Sequence, residues 1–227
     1  MTLLLAIFWT GVVSAFALGS AWYVRRYDRV DALVAFYVTL AVAGSILASK
    51  TIDFDFGFTH FFAPGAVLIF SVTFLLTDIV NEKFGRAETQ RMIFLALFAQ
   101  IAFLIFSYLV LKATPAPFFT NQAAFETVLG SVPRNIIAGL VAFLISENLD
   151  AYLFQWFRTL TGGKQLWMRN ALSSLPAMAV DSTVFVTLAF WGVMPIVPLI
   201  IGLTITKWLV GIVDIPFMYA ARSAMKK

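Results

Sequence analysis

Seven stretches of about twenty predominantly apolar residues follow one another along the chain, at roughly 2–24, 31–49, 62–82, 91–112, 132–157, 166–191 and 196–220. About twenty such residues are what a helix needs to cross the hydrocarbon core of a bilayer. The spacing therefore predicts an all-α polytopic membrane protein of about seven transmembrane helices. The balance of residues points the same way, with 61% hydrophobic and only 12% charged side chains and a mean hydropathy of +0.89. A water-soluble domain of this length needs about a quarter of its residues charged to cover its surface. The first run has no basic start and no small-residue cleavage site, so it reads as a retained helix and not as a signal peptide.

What is missing narrows the chemistry. There is no cysteine and only one histidine, His60, so neither a disulfide framework nor thiolate chemistry nor a multi-histidine metal site is expected. No cofactor is expected either. The net charge of +4 comes from basic residues scattered singly or in small groups between apolar runs, with no basic stripe of the kind that binds nucleic acid.

The connections predict sidedness. Arg25, Arg26 and Arg29 follow the first span, and Lys83, Arg86 and Arg91 the third. Arg158, Lys164 and Arg169 follow the fifth, and Arg222, Lys226 and Lys227 the seventh. The opposite side has only Lys50, Lys112 and Arg134. Basic loops stay in the cytoplasm, so the N-terminus is expected outside and the C-terminus in the cytoplasm, as a multi-pass protein of the cytoplasmic (inner) membrane. Between spans two and three, Ile52-Asp53-Phe54-Asp55-Phe56-Gly57-Phe58 alternates apolar and polar around a glycine, which predicts a short extracellular hairpin. The stretch from Thr114 to Val132, with Pro115 and Pro117, is expected to lie along the interface as a cap.

The whole of 1–227 reads as a single transmembrane domain, with 1–24 an extra N-terminal helix and 31–220 a six-helix core. Six divides as three plus three, and an odd repeat inverts its copy, the arrangement of many secondary transporters. Asp78 falls in the middle helix of one triplet and Asp181 in the middle helix of the other. Small residues four apart, Ala17 to Ala21 and Gly44 to Ala48, permit close helix packing.

Charged and amide groups within apolar spans cost several kcal/mol unless paired or hydrated. They therefore form the candidate substrate-binding set: Asp78, Asn81, Glu82, Arg134, Asp150, Arg169, Asn170, Asp181, Lys207 and Asp214. Asp78, Asn81 and Glu82 share one helical face near the end of span three, where Gly85 suits a helix end. Glu82, beside Lys83, is better explained as a solvated helix end, whereas the deeper Asp78 favours function. Asn170 and Asp181 lie three turns apart on one face, and Lys207 and Asp214 two turns apart. Lys207 pairing with Asp181 or Asp214, and Arg134 with a neighbouring carboxylate, would be explained by helix packing alone. Leucine does that more cheaply, which favours function for Asp181 and Lys207. Most of the 24 phenylalanines are expected to face lipid or fill helix contacts.

Several of these blocks form a recognisable series. Thr77-Asp78-Ile79-Val80-Asn81-Glu82-Lys83-Phe84-Gly85-Arg86 resembles the signature of the queuosine precursor transporter family, also called the vitamin uptake transporter family. Leu149-Asp150-Ala151-Tyr152-Leu153-Phe154 is similar to its next block. So are Leu166-Trp167-Met168-Arg169-Asn170-Ala171-Leu172-Ser173-Ser174, then Asp181-Ser182-Thr183-Val184-Phe185 and Ala189-Phe190-Trp191-Gly192. Lys207 followed by Asp214-Ile215-Pro216-Phe217-Met218-Tyr219 resembles its ending. The resemblance runs in order over roughly 60–220. Pro176 and Pro133 depart from the pattern, each at a point where helix geometry would change.

The resemblance implies a six-helix core that imports 7-deazapurine bases, the preQ0- and preQ1-like precursors of modified tRNA nucleosides. A guanine-like base presents an N–H and an amino group that a carboxylate accepts bidentately. That gives Asp181, Asp78 or Asp150 as acceptor and Lys207, Arg169 or Asn170 as donor to its carbonyl. The partners so implied are this small base and the lipid bilayer, not nucleic acid, with a homo-oligomer left open. Three other readings compete: the substrate-binding subunit of an energy-coupling-factor vitamin transporter, a membrane enzyme acting on lipids, and a scaffold. A single histidine speaks against the enzyme, and Asp181 with Lys207 against the scaffold.

Overall fold

The computed structural model describes the backbone of residues 3–55, 59–160 and 166–225. Side chains are described over the same ranges except at 3, 4, 6, 71, 151, 154, 158, 166–171 and 212–225. Among the described residues there are seven helices and one two-stranded sheet. They are α1 (Leu3–Tyr27), α2 (Asp31–Leu47), β1 (Thr51–Asp55), β2 (His60–Pro64), α3 (Val67–Phe84), α4 (Arg86–Lys112), α5 (Gln122–Leu160), α6 (Leu166–Phe190) and α7 (Ile196–Met225).

Four helical segments are long and apolar enough to cross a membrane: Ile7–Tyr27, Arg86–Lys112, Gln122–Phe157 and Leu172–Phe190. Asp31–Leu47 and Ile196–Gly211 are shorter apolar helices. The outer surface agrees with a lipid surround. On α4, Phe94, Phe98, Ile105 and Phe106 are all exposed, a stripe that a protein in water would have to cover. The chain is thus a mostly helical polytopic membrane protein.

Helix α1 is part of the packed bundle. Val13, Ala17, Ala21 and Val24 are buried at spacings of three and four, on one face, against Leu33, Leu75, Leu76, Ile79, Val80 and Met92. The Trp9 indole N–H donates to the Leu68 carbonyl at 2.9 Å, tying α1 to the first turn of α3. The alanine pair expected to permit close approach does so; both are almost wholly buried. Gly44 behaves otherwise, since a Cβ there would meet open space.

The hairpin forms where the alternation predicts it. Phe54 is buried while Asp53 and Asp55 are exposed, and the strands pair antiparallel from Thr51↔Pro64 to Asp55↔His60. Residues 56–58 of the predicted segment lie outside the described residues. The second strand takes Phe61, Phe62 and Ala63, and the hydrophobicity of the last two carries the predicted third span back to 62. A short apolar run does not distinguish strand from helix. The separation is made by Pro64-Gly65. The Gly65 amide donates to the Lys50 carbonyl at 2.7 Å, and a Cβ on Gly65 would lie 2.8 Å from the Leu47 carbonyl oxygen. The hairpin then packs on α7, where the Phe62 backbone occupies the place that a side chain on Gly202 would need.

One further boundary differs. The stretch expected to lie along the interface is helical from Gln122 and runs through Pro133 into α5 without a break. Proline lacks the N–H for the carbonyl one turn back. Membrane helices tolerate this where neighbouring side chains satisfy freed groups. The carbonyl one turn back from Pro133 is that of Leu129. Close to it the Ser131 hydroxyl donates to the Val128 carbonyl at 2.8 Å and meets the Ser49 hydroxyl of the α2–β1 connection at 2.6 Å, which ties this part of α5 to its neighbour. Between α3 and α4, Gly85 adopts φ +85° and its amide caps the Val80 and Asn81 carbonyls, the helix end expected of it.

Candidate functional site

The most consequential contact in the bundle joins α6 to α7. The Lys207 ammonium is paired with Asp181 Oδ2, and both are largely withdrawn from solvent, with side-chain exposures of 9% and 19%. The other Asp181 oxygen accepts a hydrogen bond from the Ser146 hydroxyl on α5 at 3.3 Å. Lys207 Nζ also lies 4.7 Å from the centre of the Phe70 ring on α3. Four helices therefore converge on one charge pair, the ring face supplying attraction for the ammonium and the hydroxyl satisfying the carboxylate.

Helical spacing extends the group. Asp150 lies one turn beyond Ser146 on α5 and accepts from the Ser174 hydroxyl of α6 at 3.2 Å. Glu147 lies within Coulombic reach of Asp150, Asp181 and Arg86. Asp78 is half-buried in α3 and has no hydrogen bond or ion pair among the described residues.

Other members of the predicted set stand apart. Asn81 and Glu82 are exposed at the end of α3. Arg134 has no carboxylate partner among the described residues. Its guanidinium donates to the carbonyls of Leu188 and Trp191, each at 2.7 Å, closing the C-terminal end of α6, where unpaired carbonyls and the helix dipole favour a cation. Arg169, Asn170 and Asp214 belong to α6 and α7, but their side chains lie outside the described ones. Pro176 sits inside α6 between Ser174 and Asp181, and the polar face continues past it.

Beside the charge pair the helices leave a cavity of about 240 Å³ between α2, α4 and α5. Phe143, one turn from Ser146, and Phe185, one turn from Asp181, both reach its wall. Sequence reasoning gave this cavity no role. Its clues, Gln100 and Asn135 within apolar runs and glycines at 44 and 139, point nowhere until the helices are packed. Away from the bundle centre, His60 Nδ1 meets the Asp53 carboxylate at 3.0 Å on the hairpin. That hydrogen bond, then the Coulombic pull of the same carboxylate, raises the imidazole above its ordinary pKa.

Apolar helices hold a desolvated charge pair beside a mostly apolar cavity that four polar side chains, Tyr37, Ser45, Gln100 and Asn135, also line, an arrangement compatible with a membrane transport protein. The family described as "Putative vitamin uptake transporter" matches residues 64–221, and the chain belongs to that family of transporters. It is 29% identical over 185 residues to the "Probable queuosine precursor transporter" of Bacillus subtilis, covering 80% of this chain and 79% of that one. It is 25% identical over 186 residues to a protein of the same description from Haemophilus influenzae, covering 82% and 70%. No solved structure matches it.

Proposed function

We propose that this chain imports 7-deazaguanine-type precursors of queuosine across the cytoplasmic membrane, with the Asp181–Lys207 pair as the element that responds to the ligand. The observation that carries the reading is that pair itself. A carboxylate and an ammonium held together away from water are already satisfied by each other, so only a ligand of matching polarity separates them. A guanine-like edge offers an N–H and an amino group to Asp181 and a carbonyl to Lys207. Ser146 keeps Asp181 oriented, and Phe70 holds the ammonium in place. Asp150 and Asp78 stand as further carboxylates on the same bundle, and Arg169, Asn170 and Asp214 remain candidates in α6 and α7. Asn81 and Glu82 fit an exit mouth at the end of α3, and Arg134 a helix tie. The description of both relatives as probable queuosine precursor transporters, with the family membership, supports the substrate class.

The test is uptake of radiolabelled 7-cyano-7-deazaguanine and its aminomethyl analogue by cells lacking their own carrier and biosynthetic route. Wild-type chain is compared with Asp181→Asn and Lys207→Met at matched membrane expression. Accumulation by the chain alone, lost in either variant, is the expected result. It also disposes of a capture subunit that works only with separate ATPase partners. Absence of uptake by well-expressed wild-type protein refutes the substrate class.

A further inference from the structure

We infer that the cavity between α2, α4 and α5 seats the ring of the ligand, and that Gln100, Tyr37 and Asn135 read its edges; this rests on the transport reading above and adds the site. Three independent features of the cavity point to a flat, uncharged heteroaromatic guest.

The space is made by glycine. Gly44 on α2 and Gly139 on α5 both border it, and a Cβ built on either meets nothing within 4 Å. Two helices thus forgo side chains where side chains would fit. At about 240 Å³ the cavity is smaller than the roughly 300–1,000 Å³ of drug-sized pockets, and suits one small ring system.

The lining has no carboxylate and no cation, and among its mostly apolar residues it places a few uncharged polar ones. Gln100 and Tyr37 make no hydrogen bond among the described residues, although both border the cavity. Asn135 spends its amide N–H on the Ser45 carbonyl at 3.1 Å, which leaves its carbonyl oxygen free to accept. The three together offer amide and hydroxyl donors with amide and hydroxyl acceptors, the mixture that reads a heteroaromatic edge. Phe143 and Phe185 supply ring faces against which such a guest can pack.

Position links the cavity to the charge pair. Phe143 and Phe185 are one helical turn from Ser146 and Asp181, so a guest leaving the cavity along α5 and α6 reaches the pair next. The geometry describes two successive stations, an uncharged one that selects the ring and a charged one that answers to it.

The test is calorimetric titration of the purified full-length chain with 7-cyano-7-deazaguanine, using Gln100→Leu and Gly139→Val. Leaving an edge of the guest unpaired is expected to raise Kd about tenfold in Gln100→Leu. Gly139→Val is expected to abolish binding while its Tm stays at or above wild type, because glycine is a poor helix residue and the added methyls enter open space. Loss of binding with the fold intact supports the cavity. Wild-type Kd in both variants overturns the cavity assignment and leaves the transport reading standing. No binding by the wild-type chain overturns the substrate reading and the cavity with it.

Discussion

At the scale of single residues, the pairing of Lys207 with Asp181 sets a stability pattern that separates it from ordinary packing. Removing one member strands the other as a buried charge, at a cost of about 3–5 kcal/mol, whereas neutralising both together is often nearly neutral. Lys207→Met is therefore expected to unfold at markedly lower denaturant concentration than wild type in detergent. Lys207→Met combined with Asp181→Asn should recover most of that loss. Uptake should stay absent in the double variant, because stability returns and the ligand-responsive charges do not. A double variant no more stable than Lys207→Met would show that the two side chains act separately. These two residues were legible in the sequence because a charge deep in an apolar run needs a reason. Arg134 was legible only as a charge. Its partners are the carbonyls of Leu188 and Trp191, and backbone carbonyls have no signature in a sequence.

At the scale of elements, the hairpin is the piece whose placement rests on the closest contact. Gly202→Ala forces the Phe62 backbone away from α7 and is expected to cost about 1–3 kcal/mol, as overpacking does. Gly139→Ala, with open space around it, should instead gain about 0.5–1 kcal/mol from the helix. Opposite shifts in Tm from the same substitution on two helices would verify both environments. His60 makes the hairpin sensitive to pH. Its pKa is raised by the Asp53 hydrogen bond, so the stabilisation is full below the unfolded value of about 6.5 and is lost as pH climbs through the higher folded value. Since the chain has one histidine, a single imidazole resonance reports the titration, and Asp53→Asn should move it downward. An unmoved titration would mean that Asp53 does not hold the proton. The seven helices were legible from hydropathy, most of their ends to within a turn. The hairpin was legible from the alternation around Phe54, whereas the third span's start and the onset of α5 were not. Phe61-Phe62-Ala63 carries no period of its own, and Pro133 reads in a sequence as a break although the helix runs through it.

At the scale of the whole molecule, contacts between distant connections sort the bundle into two ends. Lys83, in the last turn of α3, meets Asp28, just after α1, at 3.0 Å, so the C-terminal ends of α1 and α3 share one end of the bundle. At the other end Thr51 on the hairpin meets Met194 in the α6–α7 connection, and Ser49 meets Ser131. The ends so grouped match the split of basic residues, with Arg25, Arg26, Arg29, Lys83, Arg86 and Arg91 at the first. The positive-inside rule then predicts that this end is cytoplasmic. Absence of cysteine allows a direct check, because any introduced thiol is unique. Phe118→Cys, in the exposed α4–α5 connection, should react in intact cells with a membrane-impermeant maleimide. Ala87→Cys, beside Arg86, should react only after the membrane is opened. Reversed labelling would invert the protein and turn the charge rule against the proposed orientation. Labelling of both in intact cells would mean that α4 does not cross the bilayer, which would undo the seven-span reading and the side from which Asp181 and Lys207 receive their ligand.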